Sequence, residues 1–314
     1  MMQITGPLVV GLGEALFDCF PDNRVLGGAP LNVAIHANAV LRPQGGLATP
    51  ATRVGVDALG DEVLATLQER GVAVDWVQRD PVRPTGRVDV QLDEDGDASY
   101  KFQPDSAWDA LELTHQFEEL AQRCDAVTFG TLAQRSEPSR QAIQGFLGKA
   151  KGALRLFDVN LRQDFYSAEL LSESLHLATA VKVNQDELRI LAGQYSGKSR
   201  EESSLAANAE AIRSEYGLEW VAVTRGANGV AMATPEGWFE GETPSVTAAA
   251  EPNADTVGAG DACCAGLLTG ALLEWPTEQT LRLANTLGAF VASRPGATPR
   301  LPEEIISMAF PGRQ

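Results

Sequence analysis

The sequence predicts an α/β protein with a doubly wound, mainly parallel sheet, because short apolar runs alternate along the chain with segments of helical periodicity. The strand candidates are residues 8–12, 52–56, 126–130, 154–159, 179–183 and 220–224. Helical patterns lie between most of them, at residues 31–41, 61–70, 138–150, 201–216 and 277–292. A chain of 314 residues can bury a large core, and no clear linker divides it, so we expect one domain over residues 1–314.

Three local patterns refine this expectation. Residues 8–12 have no basic segment before them and meet a glutamate soon after, which favours a buried strand over a signal peptide. Residues 43–50 are rich in glycine and proline and are expected to form a loop. From Arg87 to Phe102 the polarity alternates around a turn at residues 93–97, which predicts an inserted β-hairpin. Packing at the sheet edge and a role in the site are equally open for this hairpin.

Composition narrows the classes of function. The 25 basic and 42 acidic residues give a formal net charge of −17, which disfavours binding to nucleic acid or to an anionic membrane. A nucleotide site must therefore rely on short-range contacts. The four cysteines have neither disulfide density nor zinc spacing, so we expect a reduced, cytoplasmic setting. No apolar stretch is long enough to span a bilayer.

Two glycine-rich segments imitate nucleotide motifs of other classes. Residues 11–16 begin like a dinucleotide fingerprint, but Leu16 takes the third glycine position, which makes a nicotinamide dehydrogenase a remote alternative. Residues 193–199 imitate a P-loop, but they have three residues between the glycines where the loop needs four. We interpret this second segment as a polar surface loop.

The segment Asp255–Gly266 is the most informative one for function. Gly258 and Gly260 allow a tight turn whose N–H groups point at one spot, and the helix-patterned run that follows adds its positive dipole end there. Asp261 lies in the first turn, where a carboxylate can take a proton from a hydroxyl while the amides stabilise a transferred phosphoryl group. The alternative is an ordinary turn with an early-helix carboxylate.

Residues 255–261 resemble the C-terminal signature of the ribokinase-like (PfkB) carbohydrate kinases. The resemblance implies that Asp261 is the catalytic base and that the amides of Gly258, Ala259 and Gly260 form the anion hole. It also implies a ribokinase-like sheet flanked by helices, with a small β-strand lid. Cys263 departs from the family, which usually has an aromatic residue there.

Sugar-binding residues follow from the same resemblance. Residues 27–32 look like the N-terminal signature, in which Gly27 and Gly28 let the sugar approach the backbone and Asn32 bonds its hydroxyls. An ordinary helix entry is the open alternative for this segment. The family's early sugar-binding aspartate matches Asp18, and its lid corresponds to strands around residues 14–26 and 85–104. The lid would place Gln91 and Phe102 near the sugar. Residues 158–162 resemble a fructokinase motif, which implies that Asn160 binds the sugar and that Arg162 is catalytic, with a planar fork for a phosphate or sugar oxygen. A surface salt bridge is the open alternative for Arg162.

The nucleotide and metal residues are likewise implied by resemblance. Residues 184–187 are similar to the family's Asn-x-x-Glu motif, in which Asn184 and Glu187 lie near the phosphates and Glu187 positions Mg²⁺ through water. A helix cap is an alternative, and the two roles are compatible. The ATP loop is matched by Thr224, Gly226 and Gly229, and the adenine-flanking residue by Asn285. A K⁺ site would use Asp255, Val257 and Gly296.

We therefore expect an ATP- and Mg²⁺-dependent sugar kinase, with fructose as the favoured substrate and K⁺ as a further ligand. The resemblance covers residues 8–302. A rival within the class is 2-keto-3-deoxygluconate kinase, whose carboxylate substrate needs a cation such as Arg87, Lys101 or Arg162. A catalytically silent sugar-binding protein on the same fold is the alternative from another class. We also expect a homodimer formed through the lid, and no nucleic-acid or membrane partner.

Overall fold

The computed structural model describes residues 5–20, 23–92, 98–195, 204–243, 250–251 and 253–310. These residues contain thirteen strands and ten α-helices, numbered here in chain order. The strands are β1 (Leu8–Leu12), β2 (Leu16–Cys19), β3 (Arg24–Gly27), β4 (Leu47–Gly55), β5 (Val77–Asp80), β6 (Gly86–Leu92), β7 (Ala98–Phe102), β8 (Ala126–Phe129), β9 (Leu154–Asp158), β10 (Ala180–Asn184), β11 (Trp220–Thr224), β12 (Val230–Thr234) and β13 (Gly237–Glu240). The helices are α1 (Ala29–Leu41), α2 (Ala58–Glu69), α3 (His115–Arg123), α4 (Glu137–Lys149), α5 (Ala168–Leu177), α6 (Gln185–Tyr195), α7 (Leu205–Tyr216), α8 (Ala259–Leu272), α9 (Thr277–Val291) and α10 (Glu303–Met308).

Nine strands form one large sheet in the order β13-β12-β11-β10-β9-β8-β1-β4-β5. Every pair from β5 to β11 is parallel, and only the edge strands β12 and β13 pair antiparallel. The chain builds the sheet outward from β1 in both directions, since β4 lies on one side of it and β8 on the other. The predicted doubly wound α/β fold is therefore confirmed.

Helices cover both faces of this sheet. Consecutive residues of β1 are buried in different clusters, with Val9 packed on the face of α1, α8 and α9 and Val10 on the face of α3 to α7. Two buried faces explain why these strands are apolar throughout rather than alternating. Helix α8 is apolar on nearly all sides because it is buried among α1, α9 and the sheet. No helix of the described residues is long and apolar enough to cross a membrane.

Strand β4 corrects the loop predicted at residues 43–50, because it begins at Leu47 and includes Pro50. Pro50 pairs with Gly11 of β1 on one side, while pairing with β5 on the other side begins only at Thr52. The Thr52 N–H points toward the β5 side. Pro50, two residues earlier, faces the same side, and there β5 has not yet begun. The proline therefore interrupts no sheet hydrogen bond.

Four strands form a second, smaller sheet in the order β3-β2-β6-β7. Strands β6 and β7 are the antiparallel hairpin, and β6 pairs parallel with β2. The pairing places Asp18, Val88 and Phe102 side by side across β2, β6 and β7, and therefore on one face of this small sheet. Val88 is buried and Phe102 packs on Phe165, so this face is turned toward the carboxyl end of the large sheet.

Candidate active site

Two helix N-termini meet beyond the carboxyl ends of the parallel strands. Helix α1 begins after Gly28 and carries Asn32 in its first turn, and α8 begins after Gly258 and carries Asp261 in its first turn. Asn32 Nδ2 donates a hydrogen bond of 2.8 Å to Asp261 Oδ2. The fold thus joins two motifs that are 229 residues apart in sequence.

Gly258 is required by the backbone at the start of α8. Its φ is 76°, and a Cβ on it would lie 2.4 Å from the carbonyl oxygen of Ala297. Among the predicted anion-hole amides, that of Ala259 donates to Thr256 O at 3.2 Å. Those of Gly258 and Gly260 have no acceptor among the described residues. These free N–H groups and the positive end of α8 suit an anion.

The environment of Asp261 shifts its ionisation. Burial, and then the negative charge of Asp158, raise its pKa to about 6 from the ordinary 3.8. The hydrogen bond from Asn32 and the charges of Lys182 and Arg162 act in the opposite direction. The carboxyl is therefore a stronger proton acceptor than an ordinary aspartate and is still mostly ionised at pH 7.

A buried ion pair lies behind Asp261, and sequence reasoning missed it. Lys182 Nζ is 2.9 Å from Asp158 Oδ1, and Cys264 Sγ donates to Asp158 Oδ2 at 3.3 Å. Burial acts to lower the pKa of Lys182, but the nearby negative groups, above all Asp158, raise it well above its ordinary value. A Cβ on Gly260 would lie 3.2 Å from Lys182 Nζ, so the ammonium lies close to the start of α8. A lysine inside the apolar strand 180–183 was the available signal.

Glu14 is a second buried carboxyl that the sequence did not reveal. Its Oε1 accepts from the Ala29 N–H at 3.2 Å, and its Oε2 has no partner among the described residues. Burial raises its pKa to about 7. Gly28 has a φ of 110°, and a Cβ there would lie 2.5 Å from the carbonyl oxygen of Glu14. Glu14 therefore supports the start of α1. It also lines the same cavity as Asp158.

Asp18 lies in β2 of the small sheet. Burial raises its pKa to about 6, and the positive charge of Arg162 opposes this shift. Gly27 is close to it in β3, where a Cβ would lie 2.9 Å from Asp18 Oδ2. The predicted pair Asp18 and Gly27 is therefore together in space, with Arg162 near enough to act on both Asp18 and Asp261.

Arg162 is exposed in a loop that follows β9. Two non-glycine residues of this loop have left-handed backbones, with φ of 41° at Asn160 and 48° at Gln163. Thr131 Oγ1 donates to Val159 O at 3.0 Å at the start of the loop. Left-handed non-glycine residues persist only where the surroundings hold them.

Glu187 is a cap in this structure. Its Oε2 accepts from the Asn184 N–H at 2.8 Å, and Asn184 Oδ1 accepts from the Glu187 N–H at 2.8 Å. Its Oε1 accepts from the Leu161 N–H at 2.9 Å, which ties it to the Arg162 loop. Burial raises its pKa, while the charge of Lys182 opposes this. Among the described residues, no cluster of three or more His, Cys, Asp or Glu side chains could hold a metal ion.

The nucleotide residues lie at the end of β11 and beside it. Thr224 Oγ1 donates to Val183 O at 3.3 Å, and Gly226 and Gly229 have φ of 57° and 71°. Asn285 lies against Gly229, and its Oδ1 accepts from the Val230 N–H at 2.8 Å. Its Nδ2 donates to Glu242 O at 2.9 Å. Asn285 therefore ties the strand that follows the glycine turn to the segment after β13.

The remaining predicted residues are placed as follows. Asp255 Oδ1 accepts from the Val257 N–H at 2.9 Å and its Oδ2 from the Gly296 N–H at 3.1 Å, so the three K⁺-site candidates are together. The ring of Phe102 is 5.5 Å from that of Phe165. Gln91 lies in β6, but its side chain is outside the described residues.

The chain is similar to known sugar kinases over nearly its whole length. It matches the family described as pfkB family carbohydrate kinase over residues 18–304. It is 30% identical to a fructokinase of Escherichia coli, covering 93% of this chain and 95% of that protein. A fructokinase from Xylella fastidiosa with bound ATP has the same fold, with a TM-score of 0.79, 23% identity, and coverage of 96% and 97%. A double mutant of a fructokinase from Vibrio cholerae O395, bound to fructose, ADP and potassium ion, has a TM-score of 0.78, 25% identity, and coverage of 98% and 99%.

Proposed function

The chain belongs to the pfkB family of carbohydrate kinases, and we propose that it transfers the γ-phosphoryl group of ATP to the primary hydroxyl of fructose, giving fructose 6-phosphate. The observation that carries this proposal is the 2.8 Å bond between Asn32 and Asp261. It places the carboxylate of the anion-binding helix beside the helix that follows the Gly27-Gly28 pair. A sugar hydroxyl held at α1 is then within reach of the base.

The residues divide the reaction between them. Asp261 takes the proton of the primary hydroxyl, and that oxygen forms a bond to the γ-phosphorus as the bond to the β–γ bridging oxygen breaks and ADP leaves. The free amides of Gly258 and Gly260 stabilise the charge on the transferring group, and Arg162 supplies a planar cation. Asn32 orients Asp261 and, with Asp18, holds the sugar hydroxyls.

The cation sites are part of the proposal. Each oxygen of Glu187 already accepts one amide and retains a second lone pair, which fits Mg²⁺ held through water rather than directly. When bound, Mg²⁺ neutralises charge on the phosphate oxygens. A K⁺ site would be formed by Asp255, Val257 and Gly296. The Vibrio cholerae fructokinase structure contains a bound potassium ion. Turnover in K⁺ compared with an organic cation tests this site.

Charge favours a neutral sugar over 2-keto-3-deoxygluconate. Burial raises the pKa values of Glu14, Asp18 and Asp261, so a charged substrate carboxylate among them would also be poorly solvated. The charge of Arg162 acts on all three carboxyls and lowers the pKa of each. Arg87 is paired with Asp89. Lys101 lies beside this pair on β7, so Lys101→Ala tests whether a substrate carboxylate uses it as its cation.

We further propose one domain whose small sheet is the lid, with Asp18 and Phe102 on the face turned toward the sugar. Two copies would associate through this sheet, which light scattering of the purified protein tests. The ATP-binding role of Thr224, Gly226 and Gly229 fits glycine backbones close to phosphates, while Asn285 would shape that loop. The free state of the four cysteines fits a reducing, cytoplasmic setting.

The first experiment measures ADP release with MgATP and either fructose, 2-keto-3-deoxygluconate, ribose, glucose or a nucleoside. It is run with the wild type and with the Asp261→Asn and Asp61→Asn variants. Asp61 is the matched control, because it also lies in the first turn of a helix but is exposed on α2. We expect fructose-dependent release that Asp261→Asn abolishes and Asp61→Asn retains. Release with 2-keto-3-deoxygluconate alone would establish the rival substrate, and sugar binding without release would establish a silent binding protein.

A further inference from the structure

The loop that carries Arg162 is held in a conformation that its own residues do not favour. Asn160 and Gln163 both have positive φ, although neither is glycine. Thr131 and Glu187 bond the first half of the loop, at Val159 and Leu161. The second half of the loop, which ends at Phe165, has a further support from outside the loop.

Arg135 provides that support. Its guanidinium carbon is 4.1 Å from the ring centroid of Trp108 and 5.1 Å from that of Phe165. Its Nε and Nη2 donate to the carboxylate of Asp109 at 2.8 Å and 2.7 Å. The Phe165 N–H in turn donates to Arg162 O at 3.1 Å. The nearly buried guanidinium of Arg135 therefore fixes Phe165, whose N–H is bonded to the carbonyl of Arg162.

The same arginine reaches the hairpin of β6 and β7. Arg135 Nη2 also donates to Gln103 O at 2.7 Å, directly after β7. At the other end of the hairpin, a Cβ on Gly86 would lie 2.3 Å from Trp108 Nε1, so β6 begins in contact with the ring that Arg135 covers. Phe102 of β7 packs edge-on against Phe165. The β7 end of the hairpin therefore bonds Arg135 itself, while the β6 end and the Arg162 loop contact the two rings that Arg135 covers.

We propose that Arg135 is a positioning residue that ties the β6–β7 hairpin to the loop bearing Arg162. Closure of the hairpin over the sugar and placement of Arg162 in the site then occur together. The proposal rests on the function proposed above, in which Arg162 acts on the transferring phosphoryl group. Lysine cannot replace Arg135, because an ammonium lacks the planar fork that pairs with Asp109 while stacking between two rings.

A double-mutant cycle tests this coupling. Arg135→Lys is expected to lower kcat about tenfold, below the roughly 100-fold that a 1 Å misplacement can cost. In the Arg162→Ala background, the same change should lower kcat less than about twofold, since the residue on which it acts is gone. The matched control is Arg53→Lys, because Arg53 also pairs with a buried carboxylate, that of Asp80 at 2.9 Å, and donates to a carbonyl. Its kcat should stay within about twofold of the wild type.

A second variant covers the case in which Arg135→Lys fails to fold. Phe165→Leu keeps the Arg135–Asp109 pair but removes the ring between Arg135 and Phe102, and its loss of kcat should also disappear in the Arg162→Ala background. Equal losses in both backgrounds, together with a lowered melting temperature, would mean that Arg135 only stabilises the fold and would overturn the inference. If Arg162→Ala alone left kcat unchanged, the role of Arg162 in the proposed function would fail instead.

Discussion

Replacing Asp261 with asparagine should make the protein more stable while it removes most of the activity. The carboxyl has a folded pKa of about 6 against 3.8 for the unfolded chain, so its charge disfavours the folded state at neutral pH. The shift of about two units corresponds to about 3 kcal/mol of unfolding free energy at pH 7. The introduced amide oxygen can still accept the bond from Asn32 Nδ2, so this penalty is removed without loss of that contact.

The sign of the pH dependence follows from the same numbers. Because the folded pKa is raised, the penalty is fully present above about pH 6 and disappears as the pH falls toward 3.8. The variant should therefore gain about 3 kcal/mol at pH 7 and almost nothing near pH 4. For 314 residues the unfolding entropy is about 0.7 kcal/mol/K, so the gain at pH 7 raises the melting temperature by about 4 °C.

Urea unfolding of both proteins at pH 7 and pH 4.5, without sugar or nucleotide, measures this difference. Fructose-dependent ADP release measures kcat, which should fall about 100-fold to 10,000-fold when a general base is removed. Asp61→Asn should change neither quantity appreciably. A variant that is less stable than the wild type at pH 7, or whose gain does not depend on pH, would refute the assignment of a desolvated carboxylate at this position.

Three further predictions test the surroundings of the base. Glu14 has a pKa of about 7 and is mostly protonated while Asp261 titrates near pH 6, so Glu14→Gln should leave the acid limb of kcat/KM against pH in place, and a limb that moves to lower pH would mean that Glu14 is ionised there. Gly258→Ala should cost about 1–2 kcal/mol from its positive φ alone, plus a clash with a neighbouring carbonyl. Gly217→Ala, with a similar φ and open space around it, is the control in thermal unfolding, and equal losses for the two would exclude the clash. Lys182→Met leaves the Asp158 carboxylate buried without its cation and should cost about 3–5 kcal/mol in urea unfolding, and an unchanged stability would contradict a buried ion pair at this position.

Sequence patterns predicted those parts of the site that depend on local geometry. Gly258 and Asp261 were singled out because residues 255–261 resemble a family signature, since the glycine turn alone also fits an ordinary turn. The left-handed backbone at Gly258 fits the expected tight turn. The hairpin at residues 87–102 could be recognised from its period of two. The contact between Asp261 and Asn32 follows from the fold, since the carboxyl ends of parallel strands lie at one edge of a sheet.

The parts that could not be predicted depend on contacts between distant residues. Lys182 and Asp158 lie in different strands, and only the parallel register of β9 and β10 brings them together. Arg135 owes its position to rings from two other segments. The start of strand β4 was predicted as a loop because it contains a proline. A proline is excluded from a strand only where the neighbouring strand needs a backbone N–H, and the sequence does not show where that strand begins.

Substrate choice and base strength have one physical origin in this site. Glu14, Asp18 and Asp261 share a poorly solvated region, which raises the pKa of each one. A base whose pKa is near 6 accepts a proton more readily than an ordinary aspartate, yet it remains ionised at pH 7. In the proposed function, the same poor solvation disfavours the carboxylate of a sugar acid and suits the hydroxyls of a neutral sugar. A substitution that made the site accept a carboxylate, by adding a cation there, would also lower the pKa of Asp261 and weaken it as a base, so specificity and catalysis cannot be changed independently at this point.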